Sequence, residues 1–212
     1  MSTDVFNENA IRVVALCGSL RPGSRTCKAL EMALEGARSL GAVTKLIDLR
    51  EYTLPFCDGN INEDAYPPDV FRLRREIREA HGIILGTPEY HGGPSGVLKN
   101  ALDLMGFEEF QGKVVGLVGT AGGSTGAINS LNSLRIISRS LRAWVIPHQV
   151  SIARASKVFD AEGHLLDEGL RTRLYELGRE VARFSFLLAS RHGMDFLRQW
   201  ESMVENPGAE GI

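Results

Sequence analysis

The sequence is poor in cysteine: only Cys17, Cys27 and Cys57 occur, and no two are spaced C-x-x-C. An odd count at these spacings gives neither a disulfide framework nor a cysteine-based zinc site. The simplest expectation is a reduced, cytoplasmic protein in which Cys17 is a small buried thiol. No apolar run approaches the ~20 residues that span a bilayer, so no membrane segment is expected. Residues 1–10 have neither the basic start nor the apolar stretch of a secretory leader. The formal net charge is only −2, which removes any global electrostatic basis for binding nucleic acid or an anionic membrane. Internal repeats and low-complexity segments are also missing.

What is present is a chain sized for one domain, with apolar residues in short bursts. Ile11–Cys17, Gly82–Gly86 and Lys113–Gly119 are apolar runs that end in glycine or turn residues, the pattern of parallel strands covered on both faces. Trp144–Val150 is a fourth strand, but Pro147 removes a ladder donor and places it at a sheet edge. Val43–Leu49 is more polar and suits the other edge. Helical periodicity fills the gaps: Arg25–Leu40, Asp69–His81, Pro94–Met105, Thr125–Leu141, and a stripe from Leu170 to Leu188 in steps of three and four. Strand–helix alternation of this kind predicts an α/β fold, a doubly wound five-stranded parallel sheet with helices on both faces. Weak second and fifth strands match the order 2-1-3-4-5. The expected organisation is a tail at 1–10, a domain at 11–190 and an extension at 191–212. Glu51–Pro68 is long enough for a functional connection, and Asn206–Ile212 reads as disordered.

In such a sheet, ligands bind beyond the carboxyl ends of the strands, where strand order reverses. The loop after the first strand is Gly18-Ser19-Leu20-Arg21-Pro22-Gly23-Ser24-Arg25-Thr26. Its glycines permit close backbone approach, while Ser19, Ser24 and Thr26 offer hydroxyls. Unpaired N–H groups at the following helix start favour an anion, and Arg21 and Arg25 add charge. This is a phosphate cradle. Gly18 and Gly23 have P-loop spacing, but Ser24 stands where that motif needs lysine, which argues against triphosphate chemistry. Leu20 likewise breaks the dinucleotide fingerprint, leaving a monophosphate.

The loop after the third strand runs Thr87-Pro88-Glu89-Tyr90-His91-Gly92-Gly93-Pro94 and could frame a planar ring. After the fourth comes Thr120-Ala121-Gly122-Gly123-Ser124-Thr125-Gly126, small and glycine-rich. It also contains Gly122-x-Ser124-x-Gly126, the pattern of a hydrolase elbow, with Asp160 and His164 downstream as writable triad partners. Against that reading, Ser124 lies five residues beyond the strand instead of directly after it.

With these loops in place the chain resembles the NADPH-dependent FMN reductase family, which has a flavodoxin-like fold. The resemblance runs from about Ile11 to Leu188. It is carried by Gly18-Ser19-Leu20-Arg21 with Ser24 and Thr26, by Thr87-Pro88-Glu89-Tyr90 followed by Gly93 to Asp103, and by Gly122-Gly123. His91 departs from the family's asparagine. The resemblance implies bound FMN, NADPH (or NADH) as co-substrate, and a small acceptor: free flavin, quinone, azo compound or metal oxyanion. It implies a homodimer or homotetramer, no catalytic side chain beyond the flavin itself, and no metal. The implied cofactor-binding residues are Ser19, Arg21, Ser24, Arg25 and Thr26 for the phosphate, with Pro88, Glu89, Tyr90, His91, Thr120, Ala121, Gly122, Gly123 and Ser124 around the ring. The alternatives are an electron carrier of flavodoxin type and, more remotely, a serine hydrolase at Ser124. A net charge of −2 is low for a carrier that docks electrostatically.

Overall fold

The computed structural model describes residues 10–59, 65–189 and 191–202, with side chains in the last segment from Met194 onward. Most of the N-terminal tail, Met203 and Asn206–Ile212 lie outside the described residues, as does the centre of the Glu51–Pro68 connection.

Strand and helix alternate as β1 (Arg12–Cys17), α1 (Arg25–Arg38), β2 (Val43–Asp48), α2 (Pro68–Arg78), β3 (Gly82–Tyr90), β4 (Gly93–Pro94), α3 (Gly96–Asp103), α4 (Phe107–Phe110), β5 (Val114–Thr120), α5 (Ile128–Ser140), β6 (Trp144–Ile152), α6 (Ala155–Val158), α7 (Glu168–Ala189) and α8 (Arg191–Ser202). The sheet order is β2-β1-β3-β5-β6, and the two-residue β4 pairs only with the end of β3. Without β4, the five parallel strands run 2-1-3-4-5 in chain order, the doubly wound order expected, with the polar strand and the proline strand at the two edges.

Side-chain alternation divides the sheet into two cores. Val13, Ala15 and Cys17 of β1, Ile84 of β3 and Val118 of β5 pack under α1 and α7. Val14, Leu16, Ile83, Leu85, Val115 and Leu117 face α2, α3 and α5 on the other side. Because β1, β3 and β5 are buried on both faces, their sequences read as continuous apolar runs. On the first side α1 and α7 meet backbone to backbone, at Gly36 against Tyr175 and Gly178 against Ala33.

Two local departures from expectation have physical causes. First, β3 continues through Thr87-Pro88-Glu89-Tyr90, because Thr87 and Pro88 still pair with Gly119 and Thr120 of β5. Its last two residues then turn back on β4 through His91 and Gly92, both at positive φ (51° and 77°), a two-residue hairpin turn. Second, Pro94 belongs to that hairpin rather than to a helix; α3 starts at Gly96, with the Ser95 hydroxyl accepting from the Leu98 N–H. The extension carries a helix, α8, with Phe196, Leu197 and Trp200 exposed.

The edge strand β6 is irregular where Pro147 sits, its register with β5 shifting between Val115 and Leu117. Arg135 of α5 donates to the carbonyls of Ile146 (3.1 Å) and Pro147 (2.7 Å), and Arg173 of α7 donates to that of Gln149 (3.1 Å).

At the amino ends of the central strands β1 and β3, His81 Nδ1 accepts from the Arg12 N–H at 3.0 Å, which requires the unprotonated nitrogen. Burial, helped by the Arg12 and Lys113 cations, holds the imidazole below its usual value. The unfolded chain therefore takes up this proton first as pH falls, and stability is lost from about pH 6.5 downward. In His81→Asn an amide oxygen can accept the same bond and does not titrate. Melting temperatures of the wild type should fall faster than those of the variant between pH 7 and 5. Parallel curves would refute the assignment.

Candidate functional site

The carboxyl ends of β1, β3 and β5 open onto a cavity of about 490 Å³, within the range of small-molecule sites. Its floor is fixed by hydroxyl groups. The Ser95 hydroxyl donates to the Gly18 carbonyl at 2.6 Å, and the Ser95 N–H donates to the Thr87 hydroxyl at 2.9 Å. These bonds tie the first loop to the third strand. The Thr26 and Thr120 hydroxyls lie 2.7 Å apart and tie the first loop to β5. One proton of that pair is spent between the two oxygens, so the other is free to donate into the cavity. Gly18 has no space for a side chain: a Cβ there would stand 2.6 Å from Leu98 Cβ.

From the first loop, Ser19, Arg21, Ser24, Arg25 and Thr26 all line the cavity. Ser19, Ser24 and Thr26 are buried, and Ser24 caps α1 by accepting from the Cys27 N–H. The first turn of α1 holds no acidic residue, and neither arginine forms an ion pair among the described residues. Pro88, Glu89 and Tyr90 add the second wall, Thr120, Ala121 and Gly122 the third. Among the described residues Glu89 is the sole carboxylate on the lining, and it is engaged: it accepts from the Ser130 N–H at 2.9 Å, at the start of α5. The result is a concave, donor-rich site suited to an anion with a flat body.

Three of the residues singled out from sequence stand outside the lining: His91, Gly123 and Ser124. His91 sits in the hairpin turn. At φ 51° it occupies the left-handed region, where asparagine and histidine are both enriched, so the exchange for asparagine preserves the hairpin turn. Ser124 is exposed, and His164 Nδ1 bonds Asp160 at 3.0 Å, while His148 faces Glu180. No hydrogen bond joins Ser124 to either histidine among the described residues, so the triad is not assembled. Ala155 and Ser156 line the cavity although sequence reading missed them. They follow the edge strand and are drawn in by two backbone bonds, Arg154 N–H to Gly123 O and Ala155 N–H to Ala121 O, both 2.9 Å. The small pair Ala155-Ser156 was their only signal.

The cysteines correct the expectation of isolated thiols. Cys17 and Cys27 form a disulfide with Cα atoms 5.6 Å apart, and Cys57 alone is free. Counting spacings in sequence missed the pair because a strand end and a helix start meet across the intervening loop.

The profile of the NADPH-dependent FMN reductase family matches residues 11–157. An NAD(P)H-dependent FMN reductase of Pseudomonas aeruginosa is 35% identical over 170 residues, covering 76% of this chain and 88% of that protein. An FMN-dependent NADPH-azoreductase of Staphylococcus saprophyticus is 35% identical over 169 residues, with 76% and 88% covered. Among solved structures, the flavoenzyme NAD(P)H:(acceptor) oxidoreductase FerB of Paracoccus denitrificans superposes with a TM-score of 0.68 at 22% identity, covering 84% of this chain and 99% of that one, which supports the fold.

Proposed function

The chain belongs to the NADPH-dependent FMN reductase family, and on that premise we propose that its cavity holds FMN for the reduction of a small acceptor by NADPH or NADH. The observation that carries this reading is the first loop. Three buried hydroxyls, the α1 N–H groups left over beside the Ser24 cap, and two arginines with no ion pair among the described residues converge there, while Glu89, the only carboxylate on the lining among those residues, accepts from the Ser130 N–H. That donor set fits a phosphate monoester, and Gly18 lets the backbone come close.

FMN, when bound, supplies the hydride chemistry, so no side chain need act as acid or base. The residues do the rest. Ser19, Ser24, Thr26 and the start of α1 hold the phosphate. Arg21 and Arg25 neutralise it. Pro88–Tyr90 and Thr120–Gly122 frame the ring and, with Ala155 and Ser156, exclude water from one side. Tyr90 stands at the open rim, about half exposed, where a co-substrate and then an acceptor can enter. Free flavins, quinones, azo compounds and metal oxyanions are the acceptors in view. Among the described residues no helix is long and apolar enough to cross a membrane; we place the protein in the cytoplasm, as a homodimer or homotetramer. Residues 11–190 form the reductase unit in this reading, with 191–212 an extension.

Purified protein should be yellow and bleach on adding NADPH or NADH in the absence of oxygen. Arg21→Ala removes one charge-assisted contact and should weaken FMN binding about tenfold to a hundredfold. Equal flavin content in variant and wild type after dialysis would sink the phosphate assignment.

A further inference from the structure

We propose that Cys17 and Cys27 are a reversibly oxidised pair whose redox state sets how tightly the first loop holds its ligand. The inference rests on the FMN reading of the cavity.

Cys17 is the last residue of β1 and Cys27 lies in the first turn of α1. Their bond therefore closes off the segment Gly18–Thr26, and every side chain assigned to the phosphate lies inside it. The third cysteine is not a competitor: Cys57 lies beside the Asp103 carbonyl, on the connection after β2. The two paired sulfurs differ in reactivity. Cys17 is sealed between the sheet and α1, whereas Cys27 keeps a little exposure and sits among the N–H groups of a helix start, with no acidic residue in that turn. Such a position favours the thiolate.

Oxidation by a low-molecular-weight disulfide balances in two exchanges. The Cys27 thiolate attacks the small disulfide, whose sulfur–sulfur bond breaks and releases one thiolate. Cys17 then gives up its proton and attacks the mixed disulfide at Cys27, releasing the second small thiol. Two protein thiols are oxidised and one small disulfide is reduced to two thiols. A small dithiol reverses both steps.

The consequence for binding follows from packing. Two thiols need more room than one bond, and β1 cannot yield because it is buried on both faces. The first turn of α1 must give way, taking Ser24 and Thr26 with it. The disulfide thus holds the donors preorganised, and reduction loosens them.

The test uses the full chain carrying Cys57→Ser, so that only this pair reports. After equilibration with oxidised glutathione, alkylation and intact mass should show no maleimide adduct; after reduction by a phosphine, two. FMN titrated into each apo form, read by quenching of flavin fluorescence, should bind on the order of tenfold more tightly to the oxidised form. Cys17→Ala/Cys27→Ala, or Cys27→Ser if the double variant does not fold, should show one affinity under both treatments. Two adducts after oxidation would overturn the proposal. Equal, measurable affinities in the two wild-type states would overturn it too and leave the cavity reading standing. No FMN binding in either state would sink both.

Discussion

Gly18→Ala should fold and yet lose FMN by about a hundredfold in Kd. The methyl group would point into Leu98 Cβ at 2.6 Å, with the Gly86 carbonyl and the Ser95 hydroxyl each at 3.0 Å. A neighbouring Cβ and a backbone oxygen cannot rotate away, so the loop must move. Its movement breaks the bond from the Ser95 hydroxyl to the Gly18 carbonyl and displaces Ser19 from the cavity. Misplacing binding groups by about 1 Å costs on the order of a hundredfold, near 2.7 kcal/mol of binding energy. Two other glycines separate the causes. Gly23 has open space but φ +63°, so alanine there meets only backbone strain of about 1–2 kcal/mol. Gly123 has open space and no positive φ, and it lies off the lining, so Gly123→Ala should bind FMN like wild type. Fluorescence titration of the three variants, with circular dichroism to check folding, ranks them. Wild-type affinity in Gly18→Ala would mean that the first loop does not hold the ligand.

The largest stability effect is expected far from the cavity, at Gly178→Ala. A Cβ there would stand 1.7 Å from the Ala33 carbonyl oxygen and 2.6 Å from its carbon, and one at Gly36 would stand 1.9 Å from the Tyr175 carbonyl oxygen. The obstacle on each side is helix backbone, which moves only if α1 and α7 separate. Separation opens the core that Ala33, Leu34, Leu174 and Val181 fill. The loss should be about 3 kcal/mol or more, the upper end of overpacking costs. For a domain of this size that lowers the melting temperature by on the order of 10 °C. Gly36→Ala should behave alike, and the pair should cost less than the sum, because helices already parted accommodate the second methyl group. Strict additivity in thermal melts would show that the two contacts open independently.

Much of this arrangement was legible in sequence, for a reason that can be named. Central strands covered on both faces leave unbroken apolar runs, so Ile11–Cys17 and Lys113–Gly119 announced themselves. Pro147 and the polar Val43–Asp48 marked the edges because only an edge tolerates a missing donor or a wet face. The lining residues of the first loop were readable because phosphate binding needs small residues and hydroxyls at a helix start. Features set by partners distant in sequence were not legible. The extra length of β3 comes from pairing with Gly119 and Thr120. The turn role of His91 comes from β4, two residues long. Ala155 and Ser156 enter the cavity through backbone bonds to Ala121 and Gly123, and the cysteine pair exists only once α1 has docked. A side chain's chemistry is written locally; its neighbour across the fold is not.

The arginines along β6 bear on how copies of this chain can meet. Main-chain pairing between molecules grows without limit only if each molecule offers two free sheet edges, one to accept and one to be accepted. Here one margin is occupied: a proline lacks its donor, and guanidinium groups reaching over from both helical layers already hold three carbonyls. Among the described residues the β2 margin carries no such arginine clasp, so a strand of a second molecule meets less obstruction there. Charge reversal or loss at Arg135 and Arg173 would release these three carbonyls, while Pro147 would still leave the margin one donor short.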